Sequence, residues 1–351
     1  MSRCLRDPDH GYYRTRDAIG RGGDFITAPE ISQVFGELIG LWAAAIWLEW
    51  GSPSRIAFVE IGPGRGAMMR DMLRAQRVVP GFLAAADIHL VEPSPHLRSV
   101  QQAAFAGLAA APSWHADLAA LDTATAAQAP ERTPMLVVAN EVLDTMCPEQ
   151  FVRTTDGWAG RGVGLDETGR LAFVTLPSRP GDGSPSSSVG AELDRIYANA
   201  VPGDIVEWAD YDIAPLLARA GTTQLYIDYG RTAPRIGDTL QAVRNHRFEH
   251  PLTSPGEADL TTEVDFPALA RRIAREPHLK LHGPITQAEF LGRLGIIERA
   301  SRLMAANPTD APSIEAGVAR LMAPLGMGGR FKAVAIAPRD APTPPGFAGQ
   351  G

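Results

Sequence analysis

The chain has 351 residues, 45% hydrophobic and 21% charged, and carries a formal net charge of −7. This is the composition of an ordinary soluble globular protein, and the acidic balance excludes a broad basic field for the backbone of DNA or RNA. Two cysteines, Cys4 and Cys147, are too few for a disulfide scaffold and point to a reducing compartment.

The length allows one large decorated domain or two smaller ones. Met1 to His10 contains Asp7 and Asp9 and no apolar centre, so it resembles neither a signal nor a transit peptide. Segment 1–54 reads as a helical N-terminal cap. Its loop Gly22-Gly23-Asp24-Phe25-Ile26 either folds over a ligand or serves as a linker, and Gly23 and Asp24 are its candidate binding residues. Thr27-Ala-Pro-Glu30 is a capping-box pattern with proline in the first turn. Ile31, Phe35, Leu38, Trp42 and Ile46 follow as one apolar stripe, so one packing helix is expected until Gly51 and Pro53 end it. Its apolar run, Leu38 to Leu48, is too short to span a bilayer.

From Ile56 to Cys147 strands and helices alternate, which predicts a parallel sheet covered on both faces. The strands are Ile56–Ile61, Ile88–Glu92 and Met135–Ala139, with helices at Ala67–Gln76 and His96–Ala104. The most informative stretch is Phe58-Val-Glu60-Ile-Gly62-Pro-Gly64-Arg-Gly66, an apolar strand running into a turn whose glycines permit sharp bending and close ligand approach. A dinucleotide fingerprint is G-x-G-x-x-G, whereas this turn reads G-x-G-x-G and has Glu60 just before it. Pyrophosphate disfavours a neighbouring acid; a carboxylate there suits a positively charged ligand, such as the amine and sulfonium of S-adenosylmethionine (SAM). Glu92 ends the next strand, where a ribose diol lies in a doubly wound sheet. Asp117, in Trp114-His-Ala-Asp117-Leu, is either a partner for an adenine amino group or part of an ordinary surface turn.

Met135 to Asp144 delivers Asn140, Glu141 and Asp144 to the C-terminal end of a buried strand, where open α/β sheets bind ligands. These groups are able to orient a cationic or amide nucleophile; helix capping by Asn140 and a solvated Asp144 are the alternative. Residues 55–148 thus form the SAM-binding half of a catalytic domain, and 205–337 its second half. Between them, 149–204 is an insertion: Phe151-Val-Arg153 with Leu171–Leu176 reads as a β-hairpin, and 177–190 as a flexible Pro/Gly/Ser loop. A further strand, Gln224–Gly230, carries Asp228 near its end, and 231–267 is a second insertion. Phe331–Ile336 is a final strand, and 338–351 a tail expected to be mobile. His246/His250 and His278/His282 have helix-face spacing but neither pair is H-E-x-x-H, so no metal site is expected.

Gly23-Asp-Phe-Ile-Thr-Ala-Pro-Glu-Ile-Ser32, Val59–Gly66, Asn140-Glu141 with Asp144, Ile227-Asp-Tyr-Gly230, Asp265-Phe266 and Met327-Gly-Gly-Arg-Phe-Lys332 occur in that order. Together they resemble the MidA-like family of class I SAM-dependent methyltransferases, from His10 to Lys332. The resemblance implies a seven-stranded, mostly parallel Rossmann-like α/β sheet with a helical cap and insertions. It implies methylation of an arginine nitrogen on a protein, a respiratory complex I subunit in the mitochondrial members. Two departures stand out. The family pattern has aromatics after Asn-Glu, where this chain has Val142 and Leu143, and members carry a helix before the His-Gly-Tyr-Tyr region, for which Met1 leaves little room.

Carried onto this chain, Glu60, Gly62, Gly64 and Gly66 would hold the methionine end of SAM, Glu92 the ribose and Asp117 the adenine. Asn140, Glu141 and Asp144 would orient the acceptor. The expected partner is a protein substrate, with no nucleic acid and no membrane insertion, in a bacterial cytoplasm. Two other classes are open: a SAM-binding assembly factor without catalysis, and a nucleotide-dependent oxidoreductase, against which the glycine spacing and Glu60 argue.

Overall fold

The computed structural model describes residues 1–15, 26–107, 111–127, 133–177 and 185–348. Two compact units emerge. Residues 13–143, 213–229 and 273–351 form the larger, and 1–12, 144–212 and 230–272 the smaller.

The larger unit is built on a twisted sheet whose strands are β1 (Ile56–Ile61), β2 (Ala86–Val91), β3 (Ser113–His115), β4 (Met135–Asn140), β5 (Thr222–Arg231), β6 (Leu279–Thr286) and β7 (Phe331–Pro338). Their order is β6-β7-β5-β4-β1-β2-β3. β3, β2, β1, β4 and β5 run parallel, and β7 runs antiparallel to both β5 and β6. β1 and β4 are buried along their whole length, as expected for central strands covered on both faces. The last two residues of β5, Gly230 and Arg231, belong to the smaller unit and pair there with Val264 and Asp265.

Two helices fix the C-terminal end of β1. Helix α1 (Gln33–Glu49) crosses α2 (Ala67–Ala75) at Gly36 and Gly40. A Cβ on Gly40 would stand 2.7 Å from the Met72 backbone, and one on Gly36 2.8 Å from Asp71 Cβ, so only glycine allows this approach. Glu37, charged on an otherwise apolar face, is buried and accepts hydrogen bonds from Arg299 at 2.8 Å and Arg74 at 3.3 Å.

The expected single helix from Thr27 is in fact two. Thr27 makes no side-chain cap to the short helix Ala28–Ile31; Ser32 interrupts in extended backbone and caps α1 through Val34 N–H. The tail expected to be mobile is anchored at Pro344 and Phe347, which are buried. Phe347 is 1% exposed against Phe290, and Trp42 donates its indole N–H to the Pro345 carbonyl. An aromatic anchor thus outweighs the Pro/Gly composition; residues 349–351 lie outside the described residues.

In the smaller unit, strands 171–175, 157–165, 149–154 and 205–208 form an antiparallel sheet in that order. The β-hairpin material expected at Phe151–Arg153 and Leu171–Leu176 is strand over 149–154 and 171–175, and a third strand between them, Gly157–Leu165, pairs with each. Its glycines at 157, 160, 162 and 164 hid it, because glycine lacks the side chains that mark a strand. The predicted loop 177–190 is also shorter than expected. Ser186 caps a helix over Ser187–Ile196, and residues 178–184 lie outside the described residues. Phe151, Trp158, Leu193, Tyr197 and Val206 form this unit's core. Arg231 is buried there between Glu207 at 3.1 Å and Asp265 at 3.0 Å.

Replacing Gly40 by valine is predicted to force α1 from α2 at a cost of about 1–3 kcal/mol. Thermal unfolding reads this as a lowered midpoint, and an unchanged midpoint would show that the helices can part freely. A second expectation concerns His89 and His115, neighbours across β2 and β3 with ring nitrogens 3.0 Å apart. Burial pushes His89 down to about 4, with the His115 charge acting in the same direction, and burial lowers His115 too. Both sit below their unfolded value, so they contribute stability above about pH 6.5 that is lost as pH falls towards about 4. His89→Asn should therefore lose less stability than wild type between those limits, measured by denaturant unfolding across pH.

Candidate active site

β1 ends at Ile61, and Gly62, Gly64 and Gly66 all adopt left-handed backbone, with φ of 63°, 55° and 84°. The turn is tight as well as left-handed: a Cβ on Gly62 would lie 2.6 Å from Val142 Cγ2. α2 starts directly after Gly66, which supplies no side-chain cap, and the Met69 N–H of its first turn donates to the Glu60 carboxyl.

Glu60 is the buried acid beneath this turn. Its Oε2 has no hydrogen-bond partner among the described residues. Burial pushes its carboxyl up to about 8 despite a hydrogen bond from the Met69 backbone, and the charges of Asp71 and Glu92 add to the rise. Asn140 and Glu141 stand across from the turn, at the end of β4. Glu141 holds the left-handed region with φ 55°, unusual for a residue with a side chain. Its Oε1 accepts from Ala28 N–H and from Asn140 Nδ2, each at 3.0 Å. Burial raises the Glu141 carboxyl, while these two hydrogen bonds and the Arg320 charge pull it back. With its amide nitrogen turned to Glu141, Asn140 keeps a buried Oδ1 without a hydrogen-bond partner among the described residues.

These groups meet in one cleft, lined by Thr27, Pro29, Glu30, Glu60, Gly62, Pro63, Gly64, Arg65, Ala67, Met68, Asn140 and Glu141. Orphaned acceptors at the ends of two neighbouring strands, beside left-handed glycines, suit a ligand rich in N–H donors and positive charge.

The other expected residues stand elsewhere. Glu92 is buried just past β2, accepting from Ser94 N–H at 2.8 Å and from Gln101 Nε2 at 3.3 Å. Asp117 is exposed and accepts from Ala120 N–H at 2.8 Å, at the start of helix Leu118–Ala127. Asp144 falls in the smaller unit, where its side chain is buried and its carbonyl accepts from Thr262 N–H. Gly23 and Asp24 lie outside the described residues. Neither histidine pair sits on a helix, and among the described residues no cluster of metal-ligating side chains occurs.

Asp228 has a part that the sequence did not disclose. Fully buried near the end of β5, it accepts from Val142 N–H at 3.0 Å and Leu143 N–H at 2.9 Å, clamping the backbone just after Glu141. The visible signal was only an acid at a strand end; the partner loop, 85 residues away, is a property of the fold.

A family described as "Putative S-adenosyl-L-methionine-dependent methyltransferase" matches residues 38–285. The chain belongs to this family. It is 36% identical over 351 residues to the zebrafish (Danio rerio) mitochondrial protein arginine methyltransferase NDUFAF7, covering 95% of this chain and 81% of that protein. The human protein of the same name is 32% identical, with 97% and 79% covered. A crystal structure from Burkholderia thailandensis with S-adenosyl-homocysteine (SAH) bound superposes with a TM-score of 0.82 at 28% identity, covering 100% of this chain and 89% of that one. The chain is a SAM-dependent methyltransferase with the α/β fold of its class, and the dinucleotide alternative falls away. No helix among the described residues is long and apolar enough to cross a membrane.

The raised Glu60 carboxyl gives this methyltransferase a testable signature. In the ligand-free chain the group contributes stability that is present below the ordinary carboxylate range and lost as pH rises through about 8. An ammonium placed beside it favours the ionised form, so SAH binding near pH 7 should release a fraction of a proton. Calorimetry in buffers of different ionisation enthalpy measures that release, and Glu60→Gln should abolish it. Equal heats in all buffers for wild type would contradict the assignment.

Proposed function

We propose that this methyltransferase modifies a guanidinium nitrogen of an arginine in a protein substrate. The observation that carries this reading is the Glu141 carboxylate, held by Ala28 N–H and Asn140 Nδ2 in the cleft that also contains Glu60. A guanidinium presents a planar fork of N–H donors, and a carboxylate with a neighbouring amide oxygen matches it. The relatives, mitochondrial protein arginine methyltransferases by name, support the substrate class. A respiratory-chain subunit as acceptor and a bacterial cytoplasmic setting belong to the same proposal; the relatives' names place those proteins in mitochondria.

Bound SAM supplies an electrophilic methyl group on sulfonium sulfur. In this proposal Glu60 and the turn Gly62–Gly66 bind the charged amino-acid end, Glu92 the ribose, and Asp117 the adenine. Glu141 accepts N–H groups of the guanidinium and localises its positive charge away from the attacking nitrogen. Asn140 Oδ1 accepts from another N–H and fixes the plane of the group. The nitrogen sheds one proton as it gains the methyl, and the raised carboxyl of Glu141 is suited to receive it. Positioning and exclusion of water are the protein's main contributions.

Glu141→Gln keeps the volume and the hydrogen bond to Ala28 but removes the charge. It should leave SAH affinity near wild type and lower methyl transfer from labelled SAM to arginine-containing proteins by at least about a hundredfold. Equal loss of binding and transfer would remove the role assigned to Glu141.

A further inference from the structure

Gln101 lies on helix α3 (Pro95–Ala104) and is fully buried. Its side chain joins three parts of the larger unit. Nε2 donates to the Gly64 carbonyl at 2.7 Å and to Glu92 Oε2 at 3.3 Å, and Oε1 accepts from Trp114 Nε1 at 2.8 Å. The indole N–H only donates, so the amide has one orientation: its oxygen faces Trp114, and its two N–H bonds face the turn and the acid. Gly64 sits in the turn at the charged end of the cofactor site, and Glu92 at its ribose end. Each is anchored by its own neighbours, β1 with α2 for the turn and Ser94 N–H for the acid. Gln101 is the side chain that bonds to both.

We infer that Gln101 is a specificity-determining positioning residue, setting the separation between the glycine turn and Glu92 so that a ligand gripping both ends is favoured over one gripping a single end. The inference rests on the SAM reading of the cleft. Its chemistry is that of a spacer. A ligand spanning turn and acid needs both at one fixed distance and benefits from their being held in advance. A ligand that meets only one of them binds equally well when the two are free to shift.

The test compares two probes by calorimetry. SAH has both ends; 5′-methylthioadenosine keeps adenine, ribose and thioether but lacks the amino-acid end. Gln101→Met removes both donors at similar volume, and Trp114→Phe leaves Gln101 in place but frees its amide to rotate. SAH affinity should fall about tenfold to a hundredfold in Gln101→Met and by less in Trp114→Phe. Methylthioadenosine affinity should stay near wild type in both, with unfolding midpoints recorded alongside. Equal loss for the two probes, as a merely structural role would give, overturns the inference, as does no loss for either. Wild type binding neither probe would instead overturn the SAM reading itself, and the inference with it.

Discussion

A carboxyl buried at the end of the central strand, with one oxygen left unpartnered, is the costly placement on which the rest of the site depends. Leaving such an atom dry costs on the order of 1–3 kcal/mol, and a chain that had no use for Glu60 would do better with an apolar residue there. The surrounding architecture keeps the group where it is. β1 is locked between β2 and β4, and the turn above it closes through left-handed glycines. α2 cannot drift because α1 meets it at Gly36 and Gly40, where backbone touches backbone. The cost is thus borne by a rigid frame.

The opposite wall of the cleft follows the same logic. Glu141 occupies a backbone region that side chains avoid, and Asp228 holds the next two residues there by accepting their N–H groups. Val142 is thereby placed against Gly62, so the glycine turn and the end of β4 pack together. Val142 and Leu143 depart from the aromatic pattern of the family, while Asn140 and Glu141 are kept.

Much of this was legible in the sequence because it is local. β1 was read at its true bounds, and β4 within one residue, since central parallel strands are continuous apolar runs. The glycine spacing and Glu60 point to a cationic nucleoside ligand such as SAM, and the family and its SAH-bound neighbour agree. What stayed hidden depends on distant partners or on an absence of side chains. Gln101 looks like any polar residue on a helix until Gly64 and Trp114 are seen beside it. Strand Gly157–Leu165 has too few side chains to show alternation. Phe347 anchors a tail whose composition suggests none, because its pocket is formed by Phe290, remote in sequence. Asp117, exposed and capping a helix, is the assignment to which the fold adds least.

The most direct test of the central claim is a crystal structure of this chain with SAH. The account predicts the ligand's amino group within hydrogen-bonding reach of Glu60 or the turn above it, its ribose hydroxyls at Glu92, and its sulfur facing Asn140 and Glu141. A ligand bound with its charged end away from Gly62–Gly66, or with Glu141 remote from the sulfur, would contradict it.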